Sequence, residues 1–442
     1  LLPATNAAEA YQATGASIRG YEPLMDEKVP LIRPVEAIIF ITLVGLLFST
    51  TNLVPVSAVP SALFLLMTPL LPFTQAAWPA VTKWALAYYL ISIVSTLMYW
   101  PASFLEYDFY RYDGNFILSF APLLAIPLVH FRVDVDRWLV AFLLAVTTIN
   151  VFGQIAIRAI GIPPQLGLFT AANAFGGFLM FANTVAYVWW RKSRKALPLI
   201  LFVLNLVLLL ITYSRGSEIG LVLAIVSVWL LQKGKGWAVA LILATLVLTE
   251  ASILYFTYPI YLNTRHVVDQ IYASGADTKE ANILLRALSD WPRGLYLFFH
   301  SPIFGGGFGA VNDLPFRFHH DVAFFQFNDS GVHKFNSAHA HNTYIHILGE
   351  QGLFGFAIFM GFWRSVYRFI RDTPGSSFAR DILHISFWTL TYASFTEHRI
   401  PTPSNAFPFM LSLLLYSASS LATKTRAANA MPGLGALDES GA

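Results

Sequence analysis

The stretch Ser337-Ala338-His339-Ala340-His341-Asn342 gathers polar side chains directly ahead of an apolar run that begins near Thr343. A histidine at the start of a helix has its protonated form disfavoured by the helix dipole. His341 occupies such a position, which suits a neutral imidazole acting as general base near neutral pH. A plainer reading also stands: a polar histidine that marks a membrane interface and caps the helix. Zinc ligation by His339 and His341 fits poorly. Positions i and i+2 diverge on a helix, and the chain has neither a His-Glu-x-x-His motif nor any cysteine.

A second cluster is Tyr213-Ser214-Arg215-Gly216-Ser217-Glu218, which joins two short apolar runs. Their shortness suggests a turn below the membrane surface, with Arg215 in a polar cavity. The alternative is an arginine that snorkels or pairs with Glu218 three residues on. Arg286, followed by Trp291-Pro292-Arg293, carries a guanidinium fork suited to phosphate oxygens, but alone it reads as an ordinary solvated surface charge. Arg265 shares that ambiguity. Gly305-Gly306-Gly307-Phe308-Gly309 lacks the Gly-Lys-Ser/Thr of a phosphate loop and reads as a tight turn needing positive φ. Glu106 with Asp108 is a weak divalent-cation candidate. No Gly-x-Ser-x-Gly elbow or nucleotide fingerprint occurs, so neither ATP nor a nucleotide sugar is expected as direct substrate.

These residues sit in a chain of 442 residues that is 56% hydrophobic and only 12% charged, with a mean hydropathy of +0.58. Soluble proteins carry about 25% charged residues. The composition therefore predicts an all-α polytopic membrane protein and excludes a soluble enzyme or a secreted disulfide domain. A net charge of +3 is too small to suggest nucleic acid. Spans of about 20 residues are expected at roughly 35–50, 54–73, 82–100, 117–131, 139–157, 166–190, 197–214, 219–232, 237–262, 343–363, 382–400 and 405–423. That gives about 12 helices, nine within 35–262 and three within 341–423. The first two are interrupted by prolines and read alternatively as a re-entrant hairpin.

With the N-terminal segment 1–34 placed in the cytoplasm, alternation puts 18 of the 28 basic residues on the cytoplasmic side, a positive-inside bias. That segment has no basic start followed by an apolar run and is not expected to be a cleaved signal. Residues 263–340 form a large outer loop, and eight of the 11 histidines fall between His266 and His346. Residues 424–442 are expected to be a disordered cytoplasmic tail.

In order and spacing, Thr212-Tyr213-Ser214-Arg215-Gly216, Arg286 to Trp291, His300-Ser301-Pro302-Ile303-Phe304-Gly305-Gly306-Gly307-Phe308-Gly309, and His339-Ala340-His341-Asn342 running into Gly349-Glu350-Gln351-Gly352-Leu353-Phe354-Gly355 resemble the O-antigen ligase/polymerase superfamily of bacterial envelope glycosyltransferases. The resemblance spans about residues 197–360. It implies a multi-pass enzyme of the bacterial inner membrane, of GT-C-like architecture, with its active site facing the periplasm. It implies an undecaprenyl-diphosphate-linked glycan as donor, lipid A-core as acceptor for a ligase, and no nucleotide. Polymerases and protein O-oligosaccharyltransferases of the superfamily remain alternatives, as does a polysaccharide flippase on helix count alone. Under the ligase reading His341 is the base, and Arg215 and Arg286 stabilise the departing diphosphate. His339 and Asn342 are candidates for orienting the base or holding sugar, and Arg265 for holding substrate. No metal or other cofactor is expected if the arginines take the charge, and a single displacement inverts the anomeric centre.

Overall fold

A computed structural model describes residues 78–99, 116–128, 134–159, 161, 164, 167–169, 172–273, 286–307 and 340–429. All regular structure among them is helical. The elements are α1 (Ala80–Tyr99), α2 (Phe116–Ala125), α3 (Val135–Ala159), α4 (Ala172–Ser193), α5 (Ala196–Ile211), α6 (Arg215–Gln232), α7 (Gly236–Ala273), α8 (Trp291–His300), α9 (Thr343–Asp372), α10 (Ser377–Ala393) and α11 (Pro403–Asn429).

Among the described residues, five helices are long and apolar enough to cross a membrane: α1, α3, α6, α7 over Gly236–Asn263, and α9. The expected spans at 35–50 and 54–73 lie outside the described residues, as does Glu106 with Asp108. The apolar segments expected elsewhere all contain helix. However, α5 is a shorter apolar helix of 16 residues, and α4 carries buried Asn183 and Thr184.

Several boundaries differ from the sequence reading, among them the ends of α7 and α11. No glycine or proline stops α7 between Asn263 and Gly275, so it continues past the expected end at 262 to Ala273. The expected disordered tail begins at 424, but α11 runs on to Asn429. Its last turns hold Ala, Lys and Arg, which are good helix formers, and the cations favour a helix C-terminus.

The core centres on α11, whose side chains from Ala406 to Ser417 are buried on every face. A helix apolar all round must be surrounded. Tyr88, Phe116, Phe120, Phe359 and Phe362 interlock α1, α2 and α9, with the Phe120 and Phe362 rings 4.8 Å apart. Between α6 and α10 the contact is close because position 220 is glycine. A Cβ there would meet Ala393 Cβ at 3.0 Å and Thr389 O at 3.1 Å, the small-residue approach typical of membrane helices. By contrast, α7 exposes Leu248, Tyr255 and Phe256, as a lipid-facing helix does.

Each end of the bundle gathers residues that alternation assigns to one side. At one end Lys192 pairs with Asp381 at 3.0 Å, and the Ser376 hydroxyl bonds Asp136 at 2.6 Å. At the other, the starts of α4, α6 and α9 converge with the turn between α10 and α11.

Candidate active site

Arg286–Asp290 form a single π-helical turn leading directly into α8. Such turns are wide and recur at functional sites. Here Arg286 reaches Glu397 and the carbonyl of Thr396, while Asp290, four residues on, faces His341. Asp290 is fully buried and lies 3.4 Å from the guanidinium of Arg293.

His341 lies two residues before α9 in the left-handed region, at φ 47°, a conformation unusual for a side-chain-bearing residue. Asn342 makes this possible. Its Oδ1 accepts the backbone N–H groups of Tyr344 and Ile345 at 2.9 and 3.0 Å, the arrangement of a helix N-cap. Its Nδ2 donates to Glu250 Oε1 on α7 and to the carbonyl of Phe395, both at 2.9 Å. Asn342 is fully buried. It therefore anchors the start of α9 between α7 and the α10–α11 turn, an arrangement that fits the first of its two expected roles, orienting the base.

Glu397, in that turn, is the hub. Its Oε1 meets the Arg286 guanidinium at 2.6 Å and accepts from Asn173 Nδ2, also at 2.6 Å. Its Oε2 lies 2.9 Å from His341 Nδ1. Arg286 adds a bond to the carbonyl of Thr396 at 3.0 Å. Burial alone would raise the Glu397 carboxyl. Its partners His341 and Arg286 override it and hold the group well below the ordinary carboxylate range. An ionised carboxylate only accepts, so His341 Nδ1 is the donor. The other ring nitrogen, Nε2, faces Asp290 Oδ2 at 3.9 Å, beyond hydrogen-bond reach.

The turn is secured from beneath. Thr343 Oγ1 donates to the carbonyl of Glu397 at 3.2 Å and accepts from the backbone of Arg399 at 3.0 Å. The buried Arg399 guanidinium reaches Asn405 Oδ1 at 3.0 Å and Ser214 Oγ at 2.9 Å. Burial lowers this group to about 10, against the pull of Glu397, so it stays charged at neutral pH. Ser214 precedes Arg215, the first residue of α6, whose side chain is exposed. The following Gly216 abuts Thr396: a Cβ there would meet Thr396 Oγ1 at 2.2 Å. Arg215 thus stands at the rim of the same turn that Arg286 grips.

The glycine cluster locks α9 from outside. Gly306 N and Gly307 N donate to the carbonyls of Gly349 and Glu350 at 2.9 and 3.0 Å, while Leu353 N and Phe354 N donate to Pro302 and Ile303. Gly305 and Gly307 have the positive φ expected of that turn. Opposite them, α9 breaks at Gly352, with φ 62° and ψ −165°.

The fold therefore brings His341 and Arg286 together on Glu397, with Arg215 at the edge. Arg265 lies within α7, with its side chain outside what is described, and His339 lies outside the described residues. Sequence reasoning overlooked Glu397, Asp290, Glu250 and Asn173. Two signals pointed there: the polar triplet Glu397-His398-Arg399 at the end of an apolar run, and Glu250 as the sole charge between Gly236 and Asn263. Chemically, the arrangement pairs a base of fixed orientation with two guanidinium groups that suit an anionic leaving group.

Residues 200–360 match the family model described as O-antigen ligase, which supports the resemblance to that superfamily. No curated relative matches the sequence.

Proposed function

We propose that this chain, an O-antigen ligase-type membrane enzyme by its match over residues 200–360, transfers a glycan from undecaprenyl diphosphate to lipid A-core. The observation that carries the reading is the His341–Glu397–Arg286 constellation, with 2.9 and 2.6 Å contacts to one carboxylate. It couples a base to a cation suited to the departing diphosphate.

In the proposed reaction the acceptor hydroxyl attacks donor C1 as its proton passes to His341 Nε2. The new glycosidic bond forms while the bond from C1 to the diphosphate oxygen breaks, and undecaprenyl diphosphate departs. One in-line displacement inverts C1. Glu397 stabilises the imidazolium that forms, as a buried carboxylate does behind other catalytic histidines. Arg286 and Arg215 balance the charge growing on the diphosphate, each worth roughly 10²–10³-fold by analogy with oxyanion donors. Arg265 and His339 contact substrate. Asn342 acts through position, by fixing the backbone that presents His341. No metal takes part. The protein crosses the bacterial inner membrane about 12 times in a GT-C-like arrangement, with the site facing the periplasm and open sideways to lipid substrates.

The test is a reaction with purified protein, undecaprenyl-diphosphate glycan and lipid A-core, without nucleotide. Glycosylated lipid A-core supports the ligase. Longer undecaprenyl-linked chains, with lipid A-core unmodified, assign it to the polymerases of the superfamily instead.

A further inference from the structure

Glu397 is shared between a guanidinium and an imidazole that the reaction needs for different tasks. Arg286 Nη2 sits on Oε1 and His341 Nδ1 on Oε2. Resting on the reading that a diphosphate donor enters this site, we propose that Glu397 is an exchangeable counter-ion. The donor diphosphate draws Arg286 away from it, and the carboxylate is left to His341 when a base is required.

Three features favour the exchange. First, Arg286 is held by one edge only. Its Nη1 and Nη2 bond Thr396 O and Glu397, whereas its buried Nε has no partner among the described residues. A diphosphate can offer the guanidinium fork several oxygens at once.

Second, Oε1 does not lose every partner when Arg286 moves, because Asn173 Nδ2 already donates to it at 2.6 Å. The carboxylate can stay where His341 needs it. Asn173 lies at the start of α4, and its carbonyl accepts from the fixed Arg399 guanidinium.

Third, Glu397 is 5% exposed, and a buried charge that loses a counter-ion is strongly penalised. Arg399 remains nearby, but its guanidinium is fixed on Ser214 and Asn405. The charge next to the carboxylate that can grow is the imidazolium of His341, which forms as the acceptor proton is taken. Asp290, on the far side of the ring, keeps its bond to Arg293 and does not substitute. Donor binding thereby favours the protonated product of the base step, and in the empty enzyme Arg286 competes for the same carboxylate.

The experiment uses full-length protein in lipid nanodiscs with ¹⁵N-labelled histidine, reading the Nδ1–H proton of His341, identified by its loss in His341→Gln. A stronger bond to an undivided carboxylate moves that resonance downfield. Saturating undecaprenyl diphosphate is expected to shift it downfield in the wild type. Arg286→Met, which keeps the apolar stem, and Arg286→Ala are each expected to show the shifted position without ligand. An unmoved wild-type resonance with ligand bound overturns the exchange while sparing the donor reading. So does a ligand-free position in either folded Arg286 variant equal to that of the empty wild type. Failure of undecaprenyl diphosphate to bind, measured separately with radiolabelled lipid, overturns the donor reading and the exchange with it.

Discussion

His341 Nδ1 and Glu397 Oε2 meet at 2.9 Å across 56 residues of chain. The contact joins the start of α9 to the turn between α10 and α11, so the fold itself sets the orientation of the imidazole. A ring that donates Nδ1–H to a carboxylate presents Nε2 as acceptor, the tautomer a general base needs. Both backbones are held independently: His341 by the Asn342 cap, and Glu397 by Thr343.

The Glu397 carboxylate makes stability depend on acidity. Its folded-state pKa is depressed below the ordinary 4.5 by the neighbouring cations. The stabilisation is therefore complete above about pH 4.5 and is lost as the pH falls toward the folded value. Glu397→Gln is expected to lower the melting temperature in detergent at pH 7, with the difference from wild type shrinking below pH 4.5. A gap that stays constant down to pH 3 contradicts the charge-pairing account.

Arg286 and Arg215 should separate by stability even if both serve the chemistry. Truncating Arg286 to alanine removes a partner from the buried Glu397, which costs roughly 3 kcal/mol. Arg215 is exposed, and its alanine variant should melt close to wild type. Both alanine variants should lose turnover, and both lysine variants much of it, because an ammonium cannot grip two oxygens in a plane. Full activity in Arg215→Ala removes that residue from the mechanism.

Candidates carried by motif spacing were legible in the sequence; partners brought in by burial were not. His341 and Arg215 stand out as polar residues beside apolar runs, and Arg286 only through the motif order that carries the resemblance. Glu397 falls inside the segment 382–400, where hydropathy averaged over about 20 residues hides one acid. Its role depends on three elements distant in sequence; the polar triplet Glu397-His398-Arg399 marks the position but not the partners it meets. Asn342 left two roles open in the sequence, orienting the base or holding sugar; as an Asn directly before a helix it also carries a strong N-cap signal, and the cap it forms beside His341 fits the first. The positive φ of Gly305 and Gly307 was readable because only steric freedom was at issue. Their docking on the break at Gly352 was not, since it requires knowing where α9 lies.

That docking leads to a steric prediction. A Cβ on Gly352 would fall 2.4 Å from the backbone carbonyl of Ile303, and one on Gly305 would fall 2.3 Å from the carbonyl carbon of Glu350. Both are backbone contacts, and both glycines have positive φ, so neither clash relaxes cheaply. Gly352→Ala and Gly305→Ala should each destabilise by about 2 kcal/mol or more. Gly234→Ala, with positive φ but open space around it, should lose less. Equal melting temperatures for all three would mean that the turn does not dock on α9.

The proposed orientation is testable on the two ends of α6. The chain has no cysteine, so single cysteines report cleanly. Tyr213→Cys precedes α6 and Lys235→Cys follows it, both at exposed positions. An impermeant thiol reagent should label position 213 in intact spheroplasts and position 235 only after lysis. The reverse pattern would put the candidate site in the cytoplasm and exclude a periplasmic donor.

The assignment of His341 as base has the sharpest consequence. Its Nδ1 is committed to Glu397, so removing the ring deletes proton acceptance without unpairing Arg286 from the same carboxylate. His341→Ala should cut turnover by about 10²-fold or more while donor binding stays near wild type, because the base acts in the transition state. Alanine also has difficulty holding φ 47°, so His341→Asn is the better-matched control: asparagine tolerates the left-handed region but supplies no comparable base. Both variants should be equally slow, with the asparagine variant melting higher. His339→Ala should be milder, since the base lies two residues on. Wild-type turnover in His341→Asn, or a His339→Ala enzyme more damaged than either, would move the base elsewhere.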